Sequence, residues 1–351
     1  MGLATPATVQ KLQAALHAKA KCSPDFRFYS LYDKVHRPDV LAFAYRCCKA
    51  NQGCAGIDGQ TFADIEAYEP ERWLGELMEA LRNKTYRPQP LRREYILKAD
   101  GKSKRPLGIP TIRDRVAQTA AALVIGPIFE ADLMPEQYAY RPGRGALDAV
   151  QHVEKLIRRG HQEVVDADLS GFFDTIPHTD LMRSVARRTC DSSLLHLVKM
   201  WLEMPVVEPD RGSGTDQTST RHREPGIGTP QGSPISPLLS NLYMRRFIRG
   251  WQTLGYQAKY GAQIVNYADD FVICCRGRAA ALGLLPVDLI HDPRRSAVLL
   301  DVGTGPVARP GDLAISLAGW GAGDRDRDGT KGEISAARRG RIIPAPPAAE
   351  P

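Results

Sequence analysis

Aromatic side chains make up only 7% of the 351 residues, and no stretch approaches the roughly 18 consecutive apolar residues of a membrane span. No spanning segment is therefore expected. The first residues scatter Lys11, His17, Lys19 and Lys21 among small side chains without an apolar centre, so no secretion signal is expected either. Seven cysteines include the adjacent pairs Cys47-Cys48 and Cys274-Cys275 but no CxxC, which leaves no disulfide ladder. That usage fits a reduced, cytoplasmic compartment. From Ala281 to Pro351 there is no Phe, Tyr, Asn, Gln, Met or Cys, one lysine (Lys331), ten glycines and eight prolines. Such a composition buries too little apolar surface to hold a domain, and residues 281–351 are expected to form a divergent, disordered tail.

What the chain does have is positive charge, unevenly placed. Lysine and arginine number 47 against 40 acids, a formal charge of +7 that favours an anionic partner. Between positions 84 and 105, Lys84, Arg87, Arg92, Arg93, Lys98, Lys102, Lys104 and Arg105 are opposed only by Glu94 and Asp100. That local excess nearly equals the net charge of the whole chain. Over residues 281–351 acids and bases cancel.

Carboxylates are concentrated too. The β-prone Gln263-Ile264-Val265 runs into Asn266-Tyr267-Ala268-Asp269-Asp270, and Phe271-Val272-Ile273-Cys274-Cys275 follows, which reads as a hairpin with acids at its tip. Adjacent aspartates repel unless a cation neutralises them, and hard oxygen donors suit Mg²⁺ or Mn²⁺. Those residues alone read equally well as a solvated turn, since Asp is at home in turns. A partner lies in Val164-Val165-Asp166-Ala167-Asp168-Leu169-Ser170-Gly171-Phe172-Phe173-Asp174. Strand alternation puts Val165, Ala167 and Leu169 on one side and Asp166 and Asp168 on the other, an arrangement a plain core strand does not use.

Asp168 with Phe173 five positions on, followed downstream by Tyr267-Ala268-Asp269-Asp270, resembles the paired motifs of a reverse transcriptase palm. Other blocks occur in that family's order. They are Gly56-Ile57-Asp58-Gly59, Arg105-Pro106-Leu107-Gly108-Ile109-Pro110-Thr111-Ile112-Arg113-Asp114-Arg115, Tyr140-Arg141-Pro142-Gly143-Arg144 and Gly228-Thr229-Pro230-Gln231-Gly232-Ser233-Pro234-Ile235-Ser236-Pro237. Together they resemble a bacterial group II intron-encoded reverse transcriptase/maturase over roughly residues 40–280. The resemblance implies an α+β fold, a polymerase right-hand palm of antiparallel strands backed by helices, with fingers in front. It implies RNA-directed DNA synthesis from dNTPs on an intron RNA template with a DNA primer, using two Mg²⁺ ions, or Mn²⁺, held by Asp168, Asp269 and Asp270. It also makes Lys104, Arg105, Phe173 and Gln231 nucleotide-binding candidates, with Phe173 under the deoxyribose. Lys102, Arg141 and Arg144 become candidates for nucleic-acid contact. The family's thumb and maturase domain, and a lysine near the nucleotide, are not visible after Cys275, as though the chain were truncated after the YADD motif by a frameshift. The rival expectations are an RNA-binding splicing cofactor that does not polymerise and an inactive remnant. No zinc-ligand or HNH-type cluster suggests a DNA endonuclease.

The expected domains are an N-terminal segment (1–37), fingers and early motifs (38–160), palm (161–280) and tail (281–351). Helices are expected near Val9–Leu16, over Pro38–Ala50 and Glu71–Asn83, from Asp114 to Ala131 and from Ala146 to Ile157. Further helices are expected near Thr179–Arg187 and Ser192–Met204, and from Ser236-Pro237 through Phe247. Strands are expected over Arg92–Lys98 and Arg105–Pro110, around a turn at Asp100-Gly101, and on either side of the Gly/Ser/Thr-rich stretch 211–220. Gly226 to Gly232 is too rich in glycine and proline to be anything but a loop, and it feeds a helix N-terminus, where backbone amides favour anions.

Overall fold

The computed structural model describes residues 3–97, 101, 104–169, 171–208, 219–221, 226–284, 300–301 and 342–344. In chain order the elements are α1 (Ala7–Cys22), α2 (Tyr32–Val35), α3 (Pro38–Ala50), α4 (Phe62–Ala67), α5 (Pro70–Arg82), β1 (Leu91–Leu97), β2 (Lys104–Ile109) and α6 (Ile112–Glu130). Then follow α7 (Ala146–Arg158), β3 (Glu163–Leu169), α8 (Phe172–Thr175), α9 (His178–Ala186), α10 (Ser192–Leu202), β4 (Val206–Glu208) and β5 (Ser219–Arg221). The last are α11 (Ser236–Thr253), α12 (Tyr256–Tyr260), β6 (Ala262–Tyr267), β7 (Asp270–Cys275), α13 (Arg278–Leu284), β8 (Leu300–Asp301) and β9 (Ile342–Pro344). The fold is α+β, and no helix among the described residues is long and apolar enough to cross a membrane.

Two compact units divide the chain, and neither is continuous in sequence: residues 1–132 with 173–242, and 133–172 with 243–351. The first unit is built around α6. Its Ile112, Val116, Ala120, Val124, Ile125 and Ile128 are buried, and a helix apolar on most sides belongs inside, here against α1, α2 and α3. Fully burying each of these valine and isoleucine side chains is worth about 1.5–3 kcal/mol. The helix starts at Ile112, earlier than apolar spacing suggests, because the Thr111 hydroxyl accepts from the Asp114 N–H at 3.1 Å and caps it. Asp114 is itself buried. Its carboxylate accepts from the Tyr86 hydroxyl, the Thr111 hydroxyl and the Gln89 N–H at 2.5, 2.8 and 3.0 Å, while Trp201 Nε1 donates to the Tyr86 oxygen.

The same unit carries a sheet in the order β2-β1-β4-β5. β1 and β2 are antiparallel from Arg92 opposite Ile109 to Leu97 opposite Lys104, as their composition suggests. β4 joins β1 in parallel, an association no local pattern announces. Most of the turn between β1 and β2, Lys102 included, lies outside the described residues.

In the second unit the sheet runs β6-β7-β3-β8, with β9 also pairing β3. β7 is buried along Phe271 to Cys275, which explains its uninterrupted apolar run. Val272 and Cys274 pack with Val164 and Val265 against Ala149, Val153 and Leu156 of α7. The Phe271 ring meets Phe247 of α11, with centroids 5.2 Å apart. Helix α13 continues to Leu284, past the expected boundary at 280, with Ala281 and Leu284 buried. Beyond it only β8 and β9 are described, both antiparallel to β3. The rest of the expected tail lies outside the described residues.

Candidate active site

β6 and β7 are joined by the two residues Ala268 and Asp269, so Tyr267 faces Asp270 at the end of the ladder. On the other side of β7 lies β3, antiparallel, with Asp270 directly opposite Asp168 and Phe271 opposite Ala167. Facing residues in such a ladder have Cα atoms about 4.5–5.5 Å apart. The Leu169 N–H, next to Asp168, donates to the Asp269 carbonyl at 3.3 Å. Backbone pairing thus brings Asp168, Asp269 and Asp270 to one end of one sheet. Asp269 and Asp270 are half-buried, whereas Ala268 is 7% exposed. Asp166 stands two positions back on β3, opposite Val272.

The turn is held from below. Ala268 adopts φ +60°, a left-handed conformation that costs an L-residue about 1–2 kcal/mol. Asn266, 1% exposed, directs its side-chain amide into it, with Nδ2 donating to the Ala268 carbonyl at 2.9 Å and to the Asp270 carbonyl at 3.1 Å. Carboxylate donors of this kind fit the hard cations Mg²⁺ or Mn²⁺. Among the described residues, no three His, Cys, Asp or Glu side chains already form a metal cage.

In the first unit, the stretch from Phe173 in α8 to His178 at the start of α9 and the glycine-rich loop are zipped together. Thr229 N–H donates to the Phe173 carbonyl at 2.6 Å, Gly228 N–H to Ile176 O at 2.7 Å, and His178 N–H to Gly226 O at 2.8 Å. Gln231 Nε2 donates to Asp174 at 3.1 Å, and the Gln231 carbonyl accepts from Gly108 N–H at 2.7 Å. Gly232, at φ +108°, lies so close to Gly108 that a Cβ would sit 2.8 Å from its carbonyl oxygen. Only glycine fits there, so the loop around Gln231 and the Arg105–Pro110 segment share one backbone seam. Lys104 and Arg105 are exposed on β2, beside the exposed Ile96 and Leu97 of β1.

The sequence model of the reverse transcriptase family (RNA-dependent DNA polymerase) matches residues 96–288. Protein YkfC of Escherichia coli strain K12 is 31% identical over 306 residues, covering 78% of this chain and 77% of that protein. The chain belongs to the reverse transcriptase family. Its kind is group II intron-like: the group II intron-encoded protein LtrA of Lactococcus lactis is 30% identical over 217 residues, 62% of this chain. This reverse transcriptase spans 34% of the length of LtrA. Among solved structures, a chain of a partial Cas6-RT-Cas1–Cas2 complex matches 76% of this chain and 43% of its own length, at 24% identity and a TM-score of 0.45.

Within the reverse transcriptase, Arg141 and Arg144 are occupied locally. Arg141 Nη1 donates to the Met134 and Gln137 carbonyls at 2.7 and 2.8 Å, and Arg144 Nη1 to Pro135 O at 2.6 Å, with its guanidinium over the Tyr138 ring. The segment they brace pairs with β6: Asn266 N–H donates to Glu136 O at 2.9 Å, and Tyr138 N–H to Asn266 O at 3.0 Å. Sequence reasoning assigns Asn266 no role. Its only local signal is a polar amide where the strand's buried alternation calls for an apolar side chain.

Proposed function

We propose that the chain is an RNA-directed DNA polymerase whose metal ligands are Asp168, Asp269 and Asp270. The observation that carries this reading is the register of Asp168 opposite Asp270, with Asp269 tied to Leu169 beside them. Two Mg²⁺ ions bound by such carboxylates, with Mn²⁺ as a substitute, supply charge stabilisation to the phosphoryl oxygens and favour the ionised primer 3′-oxygen. In the reaction that oxygen forms a bond to the α-phosphorus of a dNTP, the bond from the α-phosphorus to the bridging oxygen breaks, and pyrophosphate leaves. The protein's own work is positioning and charge placement, which dominate phosphoryl transfer. Lys104 and Arg105, exposed and cationic, are assigned to triphosphate or template phosphates, where arginine grips two oxygens at once. Phe173 is assigned to the sugar, disfavouring a 2′-hydroxyl, and Gln231 to the nascent base pair.

The same exposed basic strands, and the likeness to an intron-encoded protein, support a second reading as an intron RNA-binding maturase that does not polymerise. Extension of a DNA primer annealed to an RNA template, with dNTPs and Mg²⁺, separates the two when run beside Asp269→Ala. The polymerase reading expects template-dependent products from the wild type, reduced about a hundredfold to a thousandfold by the substitution, the size of effect expected when a charge-stabilising group is removed. RNA binding with equal, background extension from both proteins would favour the maturase.

A further inference from the structure

We propose that Asn266 is the positioning residue of the acidic turn, fixing the Ala268-Asp269-Asp270 backbone so that its aspartates meet metal without rearranging. The inference rests on the reading of these aspartates as metal ligands. Two-residue hairpin turns commonly place glycine where φ is positive, but the first central residue here is alanine, at φ +60°. A strained conformation persists only where the surroundings over-determine it. Here they do so through the carbonyls. Those of Ala268 and Asp270 both accept from Asn266 Nδ2, at 2.9 and 3.1 Å, and that of Asp269 accepts from Leu169 N–H at 3.3 Å. All three successive peptide planes are thereby held, and with them the directions in which Asp269 and Asp270 leave the backbone.

Asn266 can do this because it is itself immobile. Its side chain is 1% exposed, and its backbone is paired to both Glu136 O and Tyr138 N in a segment that Arg141 and Arg144 brace. The side-chain oxygen Oδ1 has no partner among the described residues. A buried amide that leaves one end unpaired while its other end serves two turn carbonyls is retained at a cost in stability, which is expected of a residue kept for geometry. No other side-chain type of this length and shape offers two neutral donors from one atom.

The test is Mn²⁺ binding measured by electron paramagnetic resonance, without nucleotide or turnover, beside primer extension and thermal unfolding. The proteins are wild type, Asn266→Ala, Asn266→Ser, which keeps one donor, and Asp269→Ala. The expected result is about tenfold weaker Mn²⁺ binding for Asn266→Ala, consistent with two buried carbonyls left unsatisfied, with Asn266→Ser between it and wild type. Extension should lose kcat and need more Mg²⁺, while KM for dNTP stays within about threefold; the raised Mg²⁺ requirement is the readout that a smaller folded fraction, which lowers kcat alone, does not produce. If Asn266→Ala does not fold, Asn266→Ser alone decides. Wild-type Mn²⁺ affinity in the folded Asn266 variants, with Asp269→Ala defective, would overturn the role of Asn266 and leave the metal reading standing. Equal, weak binding by wild type and Asp269→Ala would overturn both.

Discussion

Asp114 shows how one residue can be legible as part of a motif and yet work for the fold. It lies in the block running from Arg105 to Arg115, but its carboxylate is buried and committed to Tyr86, Thr111 and Gln89. Asp114→Ala should lower unfolding free energy by about 2–4 kcal/mol, since it strands the buried Tyr86 and Thr111 hydroxyls and removes the acceptor of the Gln89 N–H. Burial, the largest influence, holds the Asp114 pKa above the ordinary carboxylate value despite those donors. The folded protein therefore keeps this proton more tightly than the unfolded chain. That contribution is complete below the unfolded value of about 4 and is lost as pH climbs through the raised folded value. Urea midpoints measured from pH 4 to 7 should show the gap between wild type and Asp114→Ala narrowing as pH rises; a gap that widens would contradict the assignment. Arg141 and Arg144 teach the converse. Their charges read as contacts for nucleic acid, a role that stays open, and Nη1 of each also donates to carbonyls between Met134 and Gln137, a bracing role that no sequence signal marks because every residue has a carbonyl.

At the scale of elements, the β1–β2 hairpin carries the strongest expectation about binding. Its basic side chains are clustered in sequence, and Lys104 and Arg105 remain exposed in the fold. Replacing both by glutamine should weaken RNA binding and reduce the slope of log affinity against log salt by about 0.7–0.9 for every phosphate that is no longer neutralised. Filter binding across a salt series reads this directly, and an unchanged slope would place the RNA elsewhere. Elements of this kind were legible because their signals are local. Pro38 at the start and Asn51 at the end bound α3, alternation marks β1 and β2, and the apolar run marks β7 as a strand covered on both faces. The short helices α4, α12 and α13 escaped, since a helix of one or two turns has too few positions to establish a period. The parallel pairing of β4 with β1 escaped for another reason: it joins residues far apart in sequence through backbone atoms that every residue possesses.

Across the whole molecule, each compact unit draws on two separated stretches of chain, so motif order in the sequence does not map onto contiguous domains. What survives that interleaving is the sheet register of the second unit, which pairs Asp168 with Asp270 and links Leu169 to Asp269. The three acids were legible because carboxylates are out of place on apolar strands. Their common end of the sheet was not, because register depends on the β3–β7 ladder as a whole. The central claim is that these acids form one divalent-metal site. Fe²⁺ substituted for Mg²⁺, with ascorbate and peroxide, cuts backbone only close to the bound ion, so peptide mapping of the fragments tests that claim most directly. The account predicts paired cleavage near residue 168 and near residues 269–270, suppressed together by excess Mg²⁺ and by Asp269→Ala. Cleavage at one segment without the other, or at both regardless of the substitution, would contradict it.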